Sequence, residues 1–273
     1  TPPQSASETI TITVVDDNQN PTNIGLSPSS VAENLPAGTA VGLLTTTDLD
    51  VGDVHSYTLA AGEGDSDNGL FTIAGNEVRT SGPLNFESRS SYSIRVQTED
   101  GKDGVFARAL TVTVIDGNDL PQTITLSNNV VVENVALQST VGTFSTADED
   151  RAGVHTYALV DGDGATGNSL FAINDNALVT NGVIDYEAQT GHSVRVRSTD
   201  PAGAFVEAVF PIVVENTNDS PSGFNLTGGV IAENQPAGTL AGTFETADDD
   251  FDDDHVYTLV AGDGSTDNGQ FVI

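Results

Sequence analysis

Acidic and amide side chains recur in a fixed order along this chain, with a copy every 100 residues. Glu33-Asn34 returns as Glu133-Asn134 and Glu233-Asn234, and Asp48-Leu49-Asp50 returns as Asp148-Glu149-Asp150 and Asp248-Asp249-Asp250. Glu87 matches Glu187, Asp100 matches Asp200, and Asp116-Gly117-Asn118-Asp119-Leu120-Pro121 matches Asn216-Thr217-Asn218-Asp219-Ser220-Pro221. Carboxylates, amide oxygens and backbone carbonyls are the donors that a hard divalent cation takes, six to eight of them at about 2.3–2.6 Å. A solvated acidic surface is the competing reading. The total charge does not separate the two: 40 acidic against 8 basic residues give a formal net charge of -32. The positions of the acids do, because a rim of surface charge has no reason to repeat in register.

That charge repels nucleic-acid phosphates and anionic lipid, which makes both poor partners, and it opposes compaction unless cations offset it. The absence of Cys removes disulfides, thiol catalysis and zinc-thiolate sites together. Metal clamping can then replace the usual staple of an extracellular chain. No run of 18 apolar residues is present to insert in a membrane, and no signal-peptide pattern opens the chain. No serine sits in a recurring Ser/His/Asp setting with strand-turn-helix context. Paired acids also serve glycosidases, but an active site at every repeat would be unusual, so the chain reads as a non-enzyme with no catalytic residues.

Two further patterns attract notice. His55, His155 and His255 each stand two residues before the repeated Tyr57, Tyr157 and Tyr257. Without a second repeated His, they read as packed or supporting side chains near the Asp-x-Asp, not as transition-metal ligands. His192 aligns with inward-facing Tyr92 and reads as a core substitution. The run Gly62-Glu63-Gly64-Asp65-Ser66-Asp67-Asn68, with copies at 162–168 and 262–268, lacks the spacing of a calcium-binding loop and reads as a solvated turn.

The elements that must position these acids are strands. Tyr92-Ser93-Ile94-Arg95-Val96 and Leu110-Thr111-Val112-Thr113-Val114 alternate strictly, and Ile10-Thr11-Ile12-Thr13-Val14 repeats the second pattern. Further short strands are expected near 41–46, 55–60, 71–73 and 77–80, between clusters of Gly, Asn and Asp. About seven short strands in about 100 residues predict an all-β, Ig-like Greek-key sandwich. Pro211 lies in a strand and predicts an edge there. A period of 100 residues fits beads on a string better than a solenoid. The expected organisation is 1–20 as the last strand and linker of an upstream repeat, 21–120 and 121–220 as repeats, and 221–273 as the first half of another, in an elongated array.

The ordered set of Glu-Asn, Asp-x-Asp, Leu84-Asn85-Phe86-Glu87 (Ile184-Asp185-Tyr186-Glu187), a late Asp and the Asn-Asp-x-Pro linker resembles the cadherin superfamily over the whole chain. With one residue between Asp119 and Pro121, the linker is shorter than in animal cadherins and resembles the cadherin-like repeats of large bacterial surface proteins. The resemblance implies calcium at the repeat junctions. Near residue 119 it implies Glu33, Asn85, Glu87, the Gly117 carbonyl, Asn118, Asp119, Asp148, Asp150 and Asp200; up to three ions would balance the six acids among them. Near residue 219 it implies Glu133, Asp185, Glu187, Asn216, Asn218, Asp219, Asp248 and Asp250. Near residue 19 it implies Asp16, Asn18, Asp48, Asp50 and Asp100, with Gln19 in place of a carboxylate. The function implied is a calcium-stiffened adhesion or spacer segment at the cell surface or outside the cell, whose partners are calcium, further copies or surface glycans. A carbohydrate-binding module and a self-assembling filament are the alternatives; absence of Trp and few aromatic residues weigh against the first.

Overall fold

The computed structural model describes residues 1–15, 17–150 and 153–273, and the chain divides into two units, 1–119 and 120–273. Among the described residues the first unit holds eight strands: β1 (Asn23–Ser27), β2 (Ser30–Ala32), β3 (Ala40–Thr47), β4 (Ser56–Leu59), β5 (Phe71–Ala74), β6 (Glu77–Thr80), β7 (Ser91–Glu99) and β8 (Val105–Ile115). They form two four-stranded sheets, ordered β1-β3-β6-β5 and β2-β8-β7-β4. All pairs are antiparallel except β2 with β8. Alternation fills the core: Tyr92, Ile94 and Val96 of β7 and Leu110, Val112 and Val114 of β8 are buried against Ile24, Val41, Leu44, Phe71 and Val78. Each such aliphatic side chain contributes about 1.5–3 kcal/mol on burial.

Within the second unit, β9 (Thr123–Leu126), β10 (Val130–Val132), β11 (Thr140–Ala147), β12 (Thr156–Leu159), β13 (Phe171–Asn174), β14 (Ala177–Thr180), β15 (Gly191–Thr199) and β16 (Phe205–Glu215) repeat both sheets. A further antiparallel pair, β17 (Gly223–Gly228) with β18 (Gly242–Ala247), follows. The molecule is an all-β set of sandwich repeats.

The repeated tyrosine now has a reason. Tyr57 OH bonds Thr46 Oγ1 at 2.9 Å, and Thr46 in turn meets buried Thr98 at 3.0 Å. Tyr157, Thr146 and Ser198 repeat this hydroxyl chain. A glycine is required in β3, where a Cβ on Gly42 would lie 1.9 Å from the Pro28 carbonyl oxygen.

Three expectations change. Residues 10–14 form no strand, and Ile10, Ile12 and Val14 are more than 80% exposed; alternation makes a strand only where a neighbour offers backbone partners. Pro211 lies in an internal strand, since β16 sits between β10 and β15. Val213 N–H donates to Asn129 O on the β10 side, so the Pro211 nitrogen faces that same side, before β10 begins at Val130. The Pro is tolerated because this stretch of an internal strand has no ladder partner there. Finally, the 62–68 loop is not simply solvated. Buried Asp67 accepts two bonds from Arg89, at 2.6 and 2.8 Å, and one from Ser93 N–H at 2.7 Å.

Candidate metal centres

The Glu-Asn pair closes the β2 strand in the first unit and the β10 strand in the second. Asn34 and Asn134 adopt the left-handed backbone region, at φ 57° and 56°, which Asn tolerates better than most side chains. This bend aims both motif side chains at the linker that follows the repeat.

Glu133 is 2% exposed; its Oε2 accepts Tyr186 N–H at 2.7 Å and its Oε1 accepts Thr217 N–H at 2.8 Å. Asn134 Nδ2 donates to Asp219 Oδ1 at 2.7 Å. Asp219 N–H donates to Asp250 Oδ2 at 2.5 Å, and Asn216 Nδ2 reaches Glu187 Oε1 at 3.0 Å and Asp250 Oδ1 at 3.4 Å. Asp248 Oδ1 accepts Asp250 N–H at 3.3 Å, and its Oδ2 meets His255 Nε2 at 2.8 Å. Asn218 Nδ2 donates to the Asp219 carbonyl. Asp185 Oδ1 accepts Ala188 N–H, yet Asp185 still offers an oxygen within 4.8 Å of oxygens of Glu133 and Glu187. The structure therefore gathers the predicted residues of the 219 junction around one linker.

The first unit ends in the same arrangement. Glu33, 5% exposed, accepts Phe86 N–H at 2.7 Å and Gly117 N–H at 2.8 Å, and Asn34 Nδ2 donates to Asp119 Oδ1 at 2.7 Å. Oxygens of Glu33, Glu87 and Asp119 lie within 4.8 Å of one another. Asn85 Oδ1 accepts Ser88 N–H at 2.6 Å, and Asn118 Nδ2 donates to the Asp119 carbonyl at 2.7 Å. In the second unit, Asp148 Oδ1 accepts Asp150 N–H, its Oδ2 meets His155 at 2.9 Å, and buried Asp200 accepts Ala204 N–H at 2.8 Å.

At the amino-terminal joint, Asp48 Oδ2 meets His55 at 3.0 Å, and Gln19 N–H donates to Asp50 Oδ2 at 2.6 Å, as Asp219 does to Asp250. Buried Asp100 accepts Asn18 Nδ2 at 3.0 Å and the N–H groups of Lys102 and Gly104 at 2.7 and 2.9 Å. Asp16 lies outside the described residues. Sequence reasoning missed Asp53, whose oxygen groups with those of Asp48 and Asp100. Its only signal was Asp253, since Gly153 interrupts the repeat.

The electrostatics divide the acids into two sets. The His55 hydrogen bond, then the Asp50 N–H, hold Asp48 below the usual carboxylate range, and His255 does the same for Asp248. Burial pushes Glu187 up, as do the charges of Glu133 and Asp250. Asp219 rises through burial and the charges of Glu133, Asp250 and Asp249. Glu87 is drawn down by its own N–H, but burial and the charges of Glu33 and Asp119 outweigh this. Among the described residues, Glu87 Oε2 and Glu187 Oε2 are buried without hydrogen-bond partners. Two oxygens bound to one calcium ion lie at most about 5 Å apart, given bond lengths of about 2.3–2.6 Å. Oxygen-only donors, mutual repulsion and orphan acceptors fit a hard divalent cation. Among the described residues, none of the acids of the 62–68 loop belongs to such a group.

Residues 27–115 match the family model described as Cadherin domain. Human Protocadherin-16 is 30% identical over 283 residues, covering 91% of this chain and 8% of the relative. Human Protocadherin beta-1 is 28% identical over 238 residues, covering 81% of this chain and 28% of the relative. The chain thus spans less than a third of the length of either relative. Among solved structures, Protocadherin Gamma B2 extracellular cadherin domains 3-6 aligns with a TM-score of 0.58 at 20% identity, covering 83% of this chain and 56% of that one; this likeness shows the fold. No helix among the described residues is long and apolar enough to cross a membrane.

Proposed function

We propose, on the premise that these are cadherin domain repeats, that the chain is a calcium-stiffened extracellular segment of a larger adhesion protein, with calcium bound at its junctions. The observation that carries this reading is the buried Glu187 Oε2, unpartnered among the described residues, beside Glu133, with Asp219 on the linker and Asp250 accepting its N–H. Glu133, Asp185, Glu187, Asn216, Asn218, Asp219, Asp248 and Asp250 would hold the ion or ions there. Glu33, Asn85, Glu87, the Gly117 carbonyl, Asn118 and Asp119 of the first unit carry equivalent donors, as do Asp148, Asp150 and Asp200 of the second. When bound, calcium supplies positive charge that replaces repulsion with shared coordination. The protein side chains do the rest: the Glu-Asn pair fixes the linker backbone, and each His fixes the carboxylate of the first Asp of Asp-x-Asp.

The repeat boundaries of the proposal are 21–120, 121–220 and 221–273, with 1–20 preceding them. The extracellular setting and adhesive role rest on the cadherin relatives, and self-association is the partner mode consistent with them. The bacterial surface-protein reading rests on the short linker alone, because the relatives described above are human proteins. Small-angle scattering and thermal melting with calcium and with chelator test the proposal. Chelation is expected to broaden the interdomain distribution and lower the melting temperature; identical profiles and melting temperatures would contradict it.

A further inference from the structure

The amino-terminal joint carries a cation of its own. Lys102 is the only lysine of the chain, and Ala202 stands in its place one repeat later. It lies in the turn between β7 and β8, and its Nζ sits 2.7 Å from Asp53 Oδ1. Asp53 also lacks a counterpart in the second repeat, where Gly153 stands. The Asp53 side chain is 6% exposed, and its Oδ2 is buried without a partner among the described residues. The same residue offers an oxygen within 4.8 Å of oxygens of Asp48 and Asp100.

The linker at this joint is altered in the same sense. Gln19 takes the place of Asp119 and Asp219, so a neutral oxygen stands where the other linkers bring a carboxylate. Asn18 Nδ2 is shared between Asp100 and the Lys102 carbonyl, and Asn18 Oδ1 is buried without a partner among the described residues. The carboxylate is lost from the Asp119 and Asp219 position, with Asp17 standing instead where Gly117 and Thr217 stand, and one opposite charge is added to the carboxylates that face the linker.

We infer that the Lys102 ammonium is a tethered counter-ion of this joint, which competes with a divalent cation for Asp53 and makes the joint at residues 17–20 the weakest calcium site of the chain. This rests on the calcium reading above. The geometry gives the mechanism. Lys102 engages one oxygen of Asp53 and leaves the other buried oxygen and Asn18 Oδ1 as open donors, so a divalent ion can still enter. To use Asp53 in full, it must displace a fixed positive charge. Lys102 is 56% exposed on its side chain, so the ammonium can swing into solvent when an ion arrives.

The experiment is a calcium titration of the whole chain by calorimetry, comparing the native protein with Lys102→Met and with Lys102→Met combined with Asp53→Asn. Circular dichroism before titration establishes that each variant is folded, and Lys102→Gln serves as a second neutral variant. Removing the ammonium is expected to tighten the weakest site about tenfold, the size of effect one nearby charge has at a partly solvated position. The Asp53→Asn change is expected to abolish most of that gain. Lys102→Arg, which keeps the charge, should titrate like the native chain. Neutral variants that leave the weakest site unchanged, or weaken it, would overturn the inference while the calcium reading stands. Native and variant chains that take up no calcium at all would overturn both.

Discussion

Asn134 Nδ2 lies 2.7 Å from Asp219 Oδ1, joining residues 85 positions apart, and Asn34 meets Asp119 at the same distance across the same separation. The amide ties the entry of each repeat to the linker at its exit. It neutralises no charge, so Asp219 keeps its negative charge for a cation while one oxygen accepts the amide. Replacing Asn134 by Ala should remove the tie and strain the left-handed backbone, at about 1–2 kcal/mol for the backbone alone. Asn134→Gly should spare the backbone and lose only the tie. Thermal melts are expected to rank native above Gly above Ala, with calcium affinity reduced in both variants.

Glu133 is held by two backbone donors, Tyr186 N–H and Thr217 N–H. Glu133→Ala leaves both without their acceptor and should cost about 1–3 kcal/mol of stability even without calcium, measured by denaturant unfolding. Glu133→Gln keeps one acceptor oxygen and should destabilise less, while lowering calcium affinity comparably to Ala. Equal calcium affinity in native and Gln forms would assign Glu133 a structural role only.

The loss of one inward tyrosine creates a pH dependence. His192 stands where Tyr92 stands one repeat earlier, and packs edge-on against Phe171, with ring centroids 6.2 Å apart. Burial holds its imidazole below the ordinary range. The unfolded chain therefore binds the proton more tightly between that lowered value and about 6.5. Stability in this window should fall as pH falls. His192→Tyr should remove this component from a melting series run between pH 7 and 5, whereas a parallel slope in both proteins would show that other groups carry it.

Gly42 faces the Pro28 carbonyl oxygen with no room for a side chain. Gly42→Ala should therefore destabilise the first sandwich by about 1–3 kcal/mol through overpacking. Gly38, whose φ is 86° but which has open space around it, should cost only backbone strain on substitution. Denaturant unfolding of the two variants separates steric from conformational cost.

The long strands were readable because Tyr92, Ile94 and Val96, and Leu110, Val112 and Val114, place every second side chain in the core. Strand β2 and its copy β10 were not, since three residues carry no period; parallel pairing to the end of β8 or β16 creates them. Residues 10–14 show the converse, a strand pattern with no strand. The Glu-Asn and linker acids were found by their repetition. Asp53 and Lys102 were missed because the second repeat carries neither. The function of Asn34 and Asn134 required coordinates, because the contact depends on a positive φ that brings residues 85 apart together.

Calcium at these oxygen-only junctions is measured most directly by calorimetric titration of the native chain beside Glu187→Gln. Extracellular modules of this class bind calcium at roughly 10⁻⁴–10⁻³ M. Saturable uptake in that range by the native chain is predicted, with loss or marked weakening of at least one site in the variant, since Glu187 Oε2 is a buried acceptor with no partner among the described residues. Native and variant chains with the same calcium stoichiometry and affinity, or a native chain that takes up none at millimolar calcium, would contradict it.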